Sequence, residues 1–150
     1  MGMLWKKEYS IGIGVMDGQH EKIFENMLAI EDSLEKKDPW HLVHHHILEL
    51  ERYMSFHFAV EESMLQIIRY PELDDHRASH EKLIAAIHDF EKRVKESRSA
   101  KDLVVFFEDW FVSHVLSEDK SFVDYANQCL EQFLAAETAQ QDKADGQAAI

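Results

Sequence analysis

Five histidines and two carboxylates recur at short spacings along the chain and could together bind metal ions. They are His20, the pair His57 and Glu61, the pair His76 and His80, and the pair His114 and Asp119. Imidazole and carboxylate ligands together suit iron, and two shared carboxylates would hold two ions a few ångströms apart. The residue types therefore predict a two-metal site inside a helical bundle.

Two of these pairs have a spacing that brings side chains together on a helix. Residues four positions apart lie about 40° apart around the axis and about 6 Å along it. His57 with Glu61, and His76 with His80, can therefore face one interior point. Each pair indicates little by itself, because ten histidines in 150 residues produce such pairs by chance.

Other histidine pairs with the same spacing lie at a different depth. His41 and His45 precede His57 by 16 and 12 residues. If the first two helices form a hairpin near Asp38, a rise of 1.5 Å per residue puts these two histidines about 18–24 Å from the level of His57. We therefore expect solvated or rim positions for the remaining histidines of the chain, above all His44, His45, His46 and His88.

The carboxylate that accompanies His114 is ambiguous from spacing. Glu118 follows it by four residues and Asp119 by five. A regular helix would turn Glu118 to the face of the histidine and Asp119 about 140° away. A π-bulge or a frayed turn between His114 and Asp119 would reverse that choice, and such bulges favour functional sites. Spacing alone leaves both carboxylates open.

Composition and periodicity favour helices as the elements that position these residues. Five glycines and two prolines leave little material for an all-β fold, and 45% hydrophobic content in 150 residues fits one compact domain. Apolar stripes predict helices over 17–37, 40–69 and 74–97, and from 101 to about 136. We expect Asp17 to cap the first helix and Pro71 to end the second.

The two ends of the chain differ from the helical middle. Residues 1–16 carry apolar side chains around Gly12 and Gly14, which predicts an ordered N-terminal arm. Residues 137–150 contain Ala, Gln and charge, a composition that cannot bury enough surface to order itself. The prediction is a domain over 1–136 with a C-terminal helical extension, followed by a polar tail over 137–150 without chemistry.

Charge and composition argue against several classes of protein. A formal charge of −13 disfavours nucleic acids and anionic membranes as partners. Cys129 is the only cysteine, so no internal disulfide can form and a reducing compartment fits. The first ten residues lack the apolar run of a secretory signal, and no stretch of 18 apolar residues occurs. We expect a soluble, cytoplasmic monomer.

Four motifs at these positions resemble the hemerythrin family, and in particular its single-domain bacterial members. They are Gly12 to His20 ending in Asp17-Gly18-Gln19-His20, His57-Phe58-Ala59-Val60-Glu61-Glu62, Tyr70-Pro71 followed by His76 and His80, and Trp110-Phe111-Val112-Ser113-His114 with Asp119. The likeness covers residues 5 to about 125. It implies an all-α, up-down-up-down four-helix bundle.

The resemblance also implies a ligand set. The family uses the carboxylate at the five-residue spacing, which selects Asp119 over Glu118. One iron would take three histidines and the other two, with two carboxylates and an oxo or hydroxo group bridging both. The implied ligands are His76, His80 and His114 for one iron, His20 and His57 for the other, and Glu61 and Asp119 for both. This leaves one position open at the two-histidine iron, where the family binds dioxygen.

The ligand mix favours binding of dioxygen over its consumption. Five of the seven ligands are neutral imidazoles, whereas carboxylate-rich di-iron bundles use more anionic ligands that stabilise oxidised iron. The leading hypothesis is therefore a non-enzymatic protein for oxygen storage, delivery or buffering. One alternative is a di-iron enzyme that reduces peroxide or nitric oxide. The other is an oxygen or redox sensor that acts through a partner.

A dry pocket would protect bound oxygen, since water promotes loss of the bound group. Apolar residues three or four positions from a ligand are the candidates for this lining. They are Ile23, Phe24, Met54, Leu83, Ile84 and Trp110.

Overall fold

Three long helices and one interrupted helical rod form the molecule. The computed structural model describes residues 4–148, apart from the side chains of residues 130, 133, 134 and 148. Its helices are α1 (Gly14–Glu35), α2 (Trp40–Ile67), α3 (Leu73–Ser97), α4 (Ala100–Phe106) and α5 (Lys120–Ala148), with π-helical segments Phe107–Val112 and Val115–Asp119 between the last two. Within residues 4–148 there is no strand. The predicted all-α fold is confirmed.

Neighbouring helices pack in chain order, and α4 closes the bundle against α1. Large apolar side chains fill the interior between the α1–α2 hairpin turn and the level of the predicted metal ligands. Among them are Met27, Ile47, Phe90 and Phe106, which are at most 1% exposed. Short connections impose the alternating direction of the helices. In the part of the chain that the structure describes, every helix is too short or too polar to cross a bilayer.

Asp17 does not cap α1, contrary to the prediction from the sequence. The N-cap is Ile13, so Asp17 lies in the first turn, where a negative charge suits the helix dipole. Its carboxylate accepts hydrogen bonds from the backbone N–H of Ile11 at 2.8 Å and from the hydroxyl of Ser10 at 2.6 Å. These bonds hold the N-terminal arm against the start of α1, with Tyr9 buried.

The last helix is longer than the sequence predicted. α5 continues to Ala148, so the expectation that residues 137–150 would not order themselves is wrong for 137–148; residues 149 and 150 lie outside the described part. The side chains of 137–147 are exposed, as their composition indicates. Their Ala, Gln, Glu and Lys residues favour helix, and extending an existing helix needs no new nucleus. That residues 137–150 form a separate tail without chemistry stays a prediction.

A polar anchor joins the start of α5 to the end of α2. The Tyr125 hydroxyl lies 3.1 Å from the backbone carbonyl oxygens of Ile68 and Arg69 and donates to them. Arg69 has a left-handed backbone, with φ of 55°, at the point where α2 has ended. The Tyr125 contact therefore satisfies carbonyls that the helix itself leaves without partners.

Candidate metal centre

The seven predicted ligands converge at one level of the bundle. Each of the four rods contributes at least one of them, and all are buried, with at most 7% of each residue exposed. Their ligand atoms form two groups in which every atom lies within 4.8 Å of the others. The three-histidine group is His76, His80, His114, Glu61 and Asp119, and the two-histidine group is His20, His57, Glu61 and Asp119. The two carboxylates belong to both groups.

Each shared carboxylate turns one oxygen to each group. Oε1 of Glu61 contacts His76 and lies 3.4 Å from Nε2 of His80, while Oε2 lies 3.2 Å from Nε2 of His57. Oδ1 of Asp119 lies 3.0 Å from Nε2 of His114. Its Oδ2 lies 3.1 Å from Nε2 of His20. This division of oxygens is what two carboxylates would show if they bridged two ions.

These side chains fit a pair of metal ions. Eight of their buried nitrogen and oxygen atoms have no hydrogen-bond partner among the described residues: His20 Nδ1 and Nε2, His80 Nδ1 and Nε2, His114 Nε2, Glu61 Oε2 and both Asp119 oxygens. Buried polar atoms are nearly always paired, so a cluster of such atoms needs another partner. Nitrogen–oxygen separations of about 3 Å are those of neighbouring octahedral ligands, each about 2.1 Å from one ion.

A π-helical turn explains why Asp119, and not Glu118, faces the cluster. The segment Val115–Asp119 is π-helical, so a turn there takes about one residue more than in an α-helix. Asp119 consequently returns to the face of His114 and is fully buried. Glu118 stays at the edge, with 42% of its side chain exposed, and its Oε2 lies 2.6 Å from Nδ1 of His114. Regular helical spacing would have selected the wrong carboxylate.

Polar side chains behind the imidazoles orient two of them. Gln19 Oε1 lies 2.7 Å from Nδ1 of His57 and can only accept, so that nitrogen carries the proton. The Glu118 carboxylate likewise requires a proton on Nδ1 of His114. When each of these rings is neutral, Nε2 therefore presents its lone pair to the cluster, which is the form that binds metal. Neither Gln19 nor Glu118 in this role was predicted from the sequence.

Burial and the shared carboxylates act in opposite directions on the imidazoles of the ion-free protein. Burial opposes the charge of His76, but the adjacent carboxylates of Asp119 and Glu61 outweigh it and raise its pKa to about 10. Burial also opposes the charge of Glu61, yet hydrogen bonds from histidines lower its pKa to about 2. Burial lowers the pKa of His57. The carboxylates thus stay ionised, and a metal ion at this level must displace protons from histidine.

A small apolar cavity lies against the two-histidine group. Its free volume is about 10 Å³, enough for one water-sized molecule. Its walls are His20, His57, His114 and Asp119 with the apolar side chains Ile23, Met54, Phe58, Leu83, Phe111 and Val115. The cavity therefore joins candidate ligands to a mostly apolar lining.

Half of the predicted lining residues lie at this cavity and half lie elsewhere. Ile23, Met54 and Leu83 are in its wall. Phe24 instead packs against Trp5 and Phe107, and Ile84 is a half-buried residue on the outside of the core.

Trp110 does not lie in the wall of this cavity. It is 38% exposed and lines an outer groove with Asp89 and Lys92. It lies in the first π-helical segment, Phe107–Val112, whose wider turns move it away from the face that an α-helix would give it.

Three wall residues were missed although the spacing rule could have found them. Phe58 precedes Glu61 by three positions, Phe111 precedes His114 by three, and Val115 precedes Asp119 by four. The Phe58 ring also stacks on the imidazole of His80 with ring centroids 3.9 Å apart.

The remaining histidines lie away from the cluster. His41, His45 and His88 are exposed, and His44 and His46 are half-buried. Among the described residues, no histidine, cysteine or carboxylate side chains outside the three-histidine and two-histidine groups form a further set that could hold a metal ion. The depth argument thus separated these residues correctly from the convergent set.

A family described as the hemerythrin HHE cation binding domain matches residues 11–126. The chain belongs to the hemerythrin family. The match covers most of the bundle and all seven clustered side chains, so the resemblance inferred from four sequence motifs is confirmed.

Relatives within the hemerythrin family match most of the chain. It is 29% identical over 130 residues to the bacteriohemerythrin of Clostridium acetobutylicum, covering 81% of this chain and 98% of that protein. Identity is 28% over 123 residues with the bacteriohemerythrin of Methylococcus capsulatus, covering 80% and 93%. The hemerythrin of Phascolopsis gouldii is 25% identical over 118 residues, with coverage of 77% and 86%.

Solved hemerythrin structures share the architecture. A wild-type hemerythrin superposes with a TM-score of 0.69 at 26% identity, covering 81% of this chain and 95% of that one. A point variant of hemerythrin gives a TM-score of 0.71 at 26% identity, with coverage of 84% and 98%. The four-helix bundle is therefore the shared frame for the buried cluster.

Proposed function

We propose that this protein binds dioxygen reversibly at a di-iron centre and serves oxygen storage, delivery or buffering. His76, His80 and His114 would hold one iron, His20 and His57 the other, and Glu61 and Asp119 would bridge them. Two ferrous ions in such a donor set supply the electrons that reversible oxygen binding requires. The residues of the chain position these ions, keep water out and leave room for a diatomic molecule.

The cavity beside the two-histidine group is the observation that carries this proposal. That group offers four protein side chains and the three-histidine group five, so the free ligand position belongs on the side where the cavity lies. The free volume of about 10 Å³ is close to the minimum that holds one water-sized molecule, so the cavity favours a very small ligand and has no room for a larger substrate. The unequal ligand count and the cavity thus both favour dioxygen binding beside the two-histidine group.

The lining favours binding over turnover. Ile23, Met54 and Leu83 bring apolar surface to the cavity and exclude water that would promote loss of bound oxygen. The titratable side chains in the wall are His20, His57, His114 and Asp119, all of which are candidate ligands. A reductase would need an additional acid to protonate its product, and among the described residues none lines the cavity.

Reversible oxygenation of the iron-loaded protein tests the proposal. The protein is reduced without oxygen, exposed to oxygen and then flushed with argon while its visible spectrum is followed. We expect a charge-transfer band that appears with one dioxygen per two irons and disappears under argon. A band that never forms, or that decays only to ferric protein, would count against oxygen carriage.

Matched histidine variants show whether the band comes from the buried cluster. His20→Ala removes a candidate ligand, whereas His45→Ala removes an exposed histidine from the distant end of α2. We expect the band to be lost in the first variant and kept in the second. Steady turnover of peroxide or nitric oxide above that of free iron would favour an enzyme over an oxygen carrier. A partner protein that binds only one oxidation state of the centre would favour a sensor over an oxygen carrier.

A further inference from the structure

The two groups of ligands differ in the charge that lies behind their imidazoles. In the three-histidine group, Oε2 of Glu118 lies 2.6 Å from Nδ1 of His114, and Oε1 of Glu62 lies 3.5 Å from Nδ1 of His80. In the two-histidine group, the partner of His57 is the neutral amide of Gln19 at 2.7 Å. Two carboxylates therefore stand behind one group and an amide behind the other.

Glu118 is held in place from two directions. The hydroxyl of Ser79, on α3, donates a hydrogen bond to Oε2 of Glu118 and lies 3.3 Å from Nδ1 of His114. Ser79 directly precedes His80 in the chain. The Glu118 carboxylate thus links α3 to the π-helical segment of the fourth rod, and its orientation toward the imidazole is fixed by both.

A carboxylate and an amide behind a metal-binding imidazole have different effects on its affinity for a metal ion. Both fix the ring and keep the proton on Nδ1, leaving Nε2 for the ion. The carboxylate also brings a negative charge, which makes the ring a better electron donor and favours a cation in front of it. The amide of Gln19 gives orientation without that charge.

We propose that Glu118 is a positioning residue that makes the three-histidine group the tighter metal site, so that this group fills before the two-histidine group. The inference depends on the metal binding proposed above but not on oxygen. The ion beside the cavity is then the one that enters last and leaves first.

Stepwise loading with Co²⁺ tests the order of filling. The metal-free protein is titrated with Co²⁺, and crystals are prepared with one equivalent of the ion. We expect two binding steps, and in the crystals a higher anomalous occupancy at the three-histidine group. Higher occupancy at the two-histidine group, or equal occupancy at both, would overturn the inference.

Glu118→Gln tests the cause of that order. The substitution keeps the shape of the side chain and removes its charge, and we expect the first step to weaken about tenfold, within the range for groups behind a metal ligand. Asp109→Asn is the matched control, because Asp109 lines the same cleft as Glu118. This variant removes a charge from the cleft while the close contact between Glu118 and His114 stays, and we expect less than a twofold change.

Gln19→Glu provides the reciprocal test and does not depend on the stability of the Glu118 variant. It places a carboxylate behind His57, and we expect the second step to tighten about tenfold while the first changes little. Equal changes in both steps, or none, in either variant would overturn the assignment. A protein that binds Co²⁺ in this order but shows no reversible oxygenation would refute only the oxygen proposal, whereas failure to bind two ions would refute both.

Discussion

Pairs of histidine and glutamate occur at two levels of this bundle and differ in what surrounds them. Toward the hairpin end, His44 lies 3.0 Å from Glu91 and His88 lies 2.9 Å from Glu51, and each pair simply joins α2 to α3 at the surface. At the level of the cluster, Glu61 contacts three imidazoles at once and is fully buried. Residue types and nitrogen–oxygen distances are similar at the two levels, so burial and convergence make the difference.

That difference has an energetic basis. An exposed pair replaces contacts with water by a contact of similar strength, so it contributes little to stability. A buried carboxylate among imidazoles cannot exchange its partners for water, and every missing partner leaves a desolvated group. The buried level should therefore respond strongly to substitution, pH and metal, and the surface level weakly.

Removing a shared carboxylate should give the largest effect. In Glu61→Ala, several buried imidazoles lose their partner, and we expect the metal-free protein to lose about 3–5 kcal/mol of unfolding free energy. Urea unfolding at pH 7 measures this, and metal analysis should show loss of bound ions. Glu51→Ala, which removes the surface partner of His88, is the control and should keep its metal. Equal losses of stability in the two variants would contradict the expected difference between the buried cluster and the surface pairs.

The pH dependence of the metal-free protein should follow the buried network. The pKa of His76 is raised from 6.5 to about 10, so its stabilisation is complete below pH 6.5 and is lost as the pH rises toward 10. The pKa of Glu61 is lowered from 4.5 to about 2, so its stabilisation is present above pH 4.5 and is lost as the pH falls toward 2.

We therefore expect greatest stability of the metal-free protein between about pH 4.5 and 6.5, with losses on the order of 2 kcal/mol on either side. Urea midpoints between pH 3 and 10 measure this profile. Bound metal takes the place of the histidine protons, so the loss at high pH should disappear in the loaded protein. A flat profile for the metal-free protein would show that the network does not couple to folding.

A polar group in the cavity should speed autoxidation of the oxygenated protein. Met54 lies in the wall, and Met54→Gln keeps its length while admitting water, so we expect oxidation about tenfold faster. Loss of the oxygenated band with time measures the rate. Trp110→Gln should leave the rate unchanged, because Trp110 lies at the outer surface. Faster oxidation in the Trp110 variant alone would place the oxygen path elsewhere.

The surface pairs should show the smallest effect. His88→Ala breaks the contact with Glu51, and we expect a change within about 1 kcal/mol in unfolding free energy that shrinks further at high salt. Thermal or urea unfolding at two ionic strengths measures it, and metal content should not change. A salt-independent loss above 2 kcal/mol would mean that this end of the bundle resembles the buried level.

Sequence reasoning could predict most of the bundle and the convergence of the histidines. Helical periodicity and chain length set the depth of each residue, and depth excluded His41 and His45. It could not choose between Glu118 and Asp119, because a π-helical turn leaves no mark on spacing. Only the family resemblance made that choice.

The hydrogen bonds behind the imidazoles were also beyond sequence reasoning. Gln19 is adjacent to His20 in the chain, yet it contacts His57 on the neighbouring helix. Such contacts depend on how two helices are rotated against each other. Asp17 is a similar case, because its short polar side chain fits an N-cap and a first-turn position equally well.

The extra residue in the turn between Val115 and Asp119 has a consequence beyond the ligand it positions. If the same residues formed a regular α-helical turn with none removed, everything downstream would be rotated by about 100°. The Tyr125 hydroxyl would swing away from the end of α2 together with Asp119. Chain length and turn type are therefore coupled in this segment: the five-residue spacing needs the wide turn, and a one-residue deletion would keep both the cluster and the docking of α5 only if the turn became α-helical.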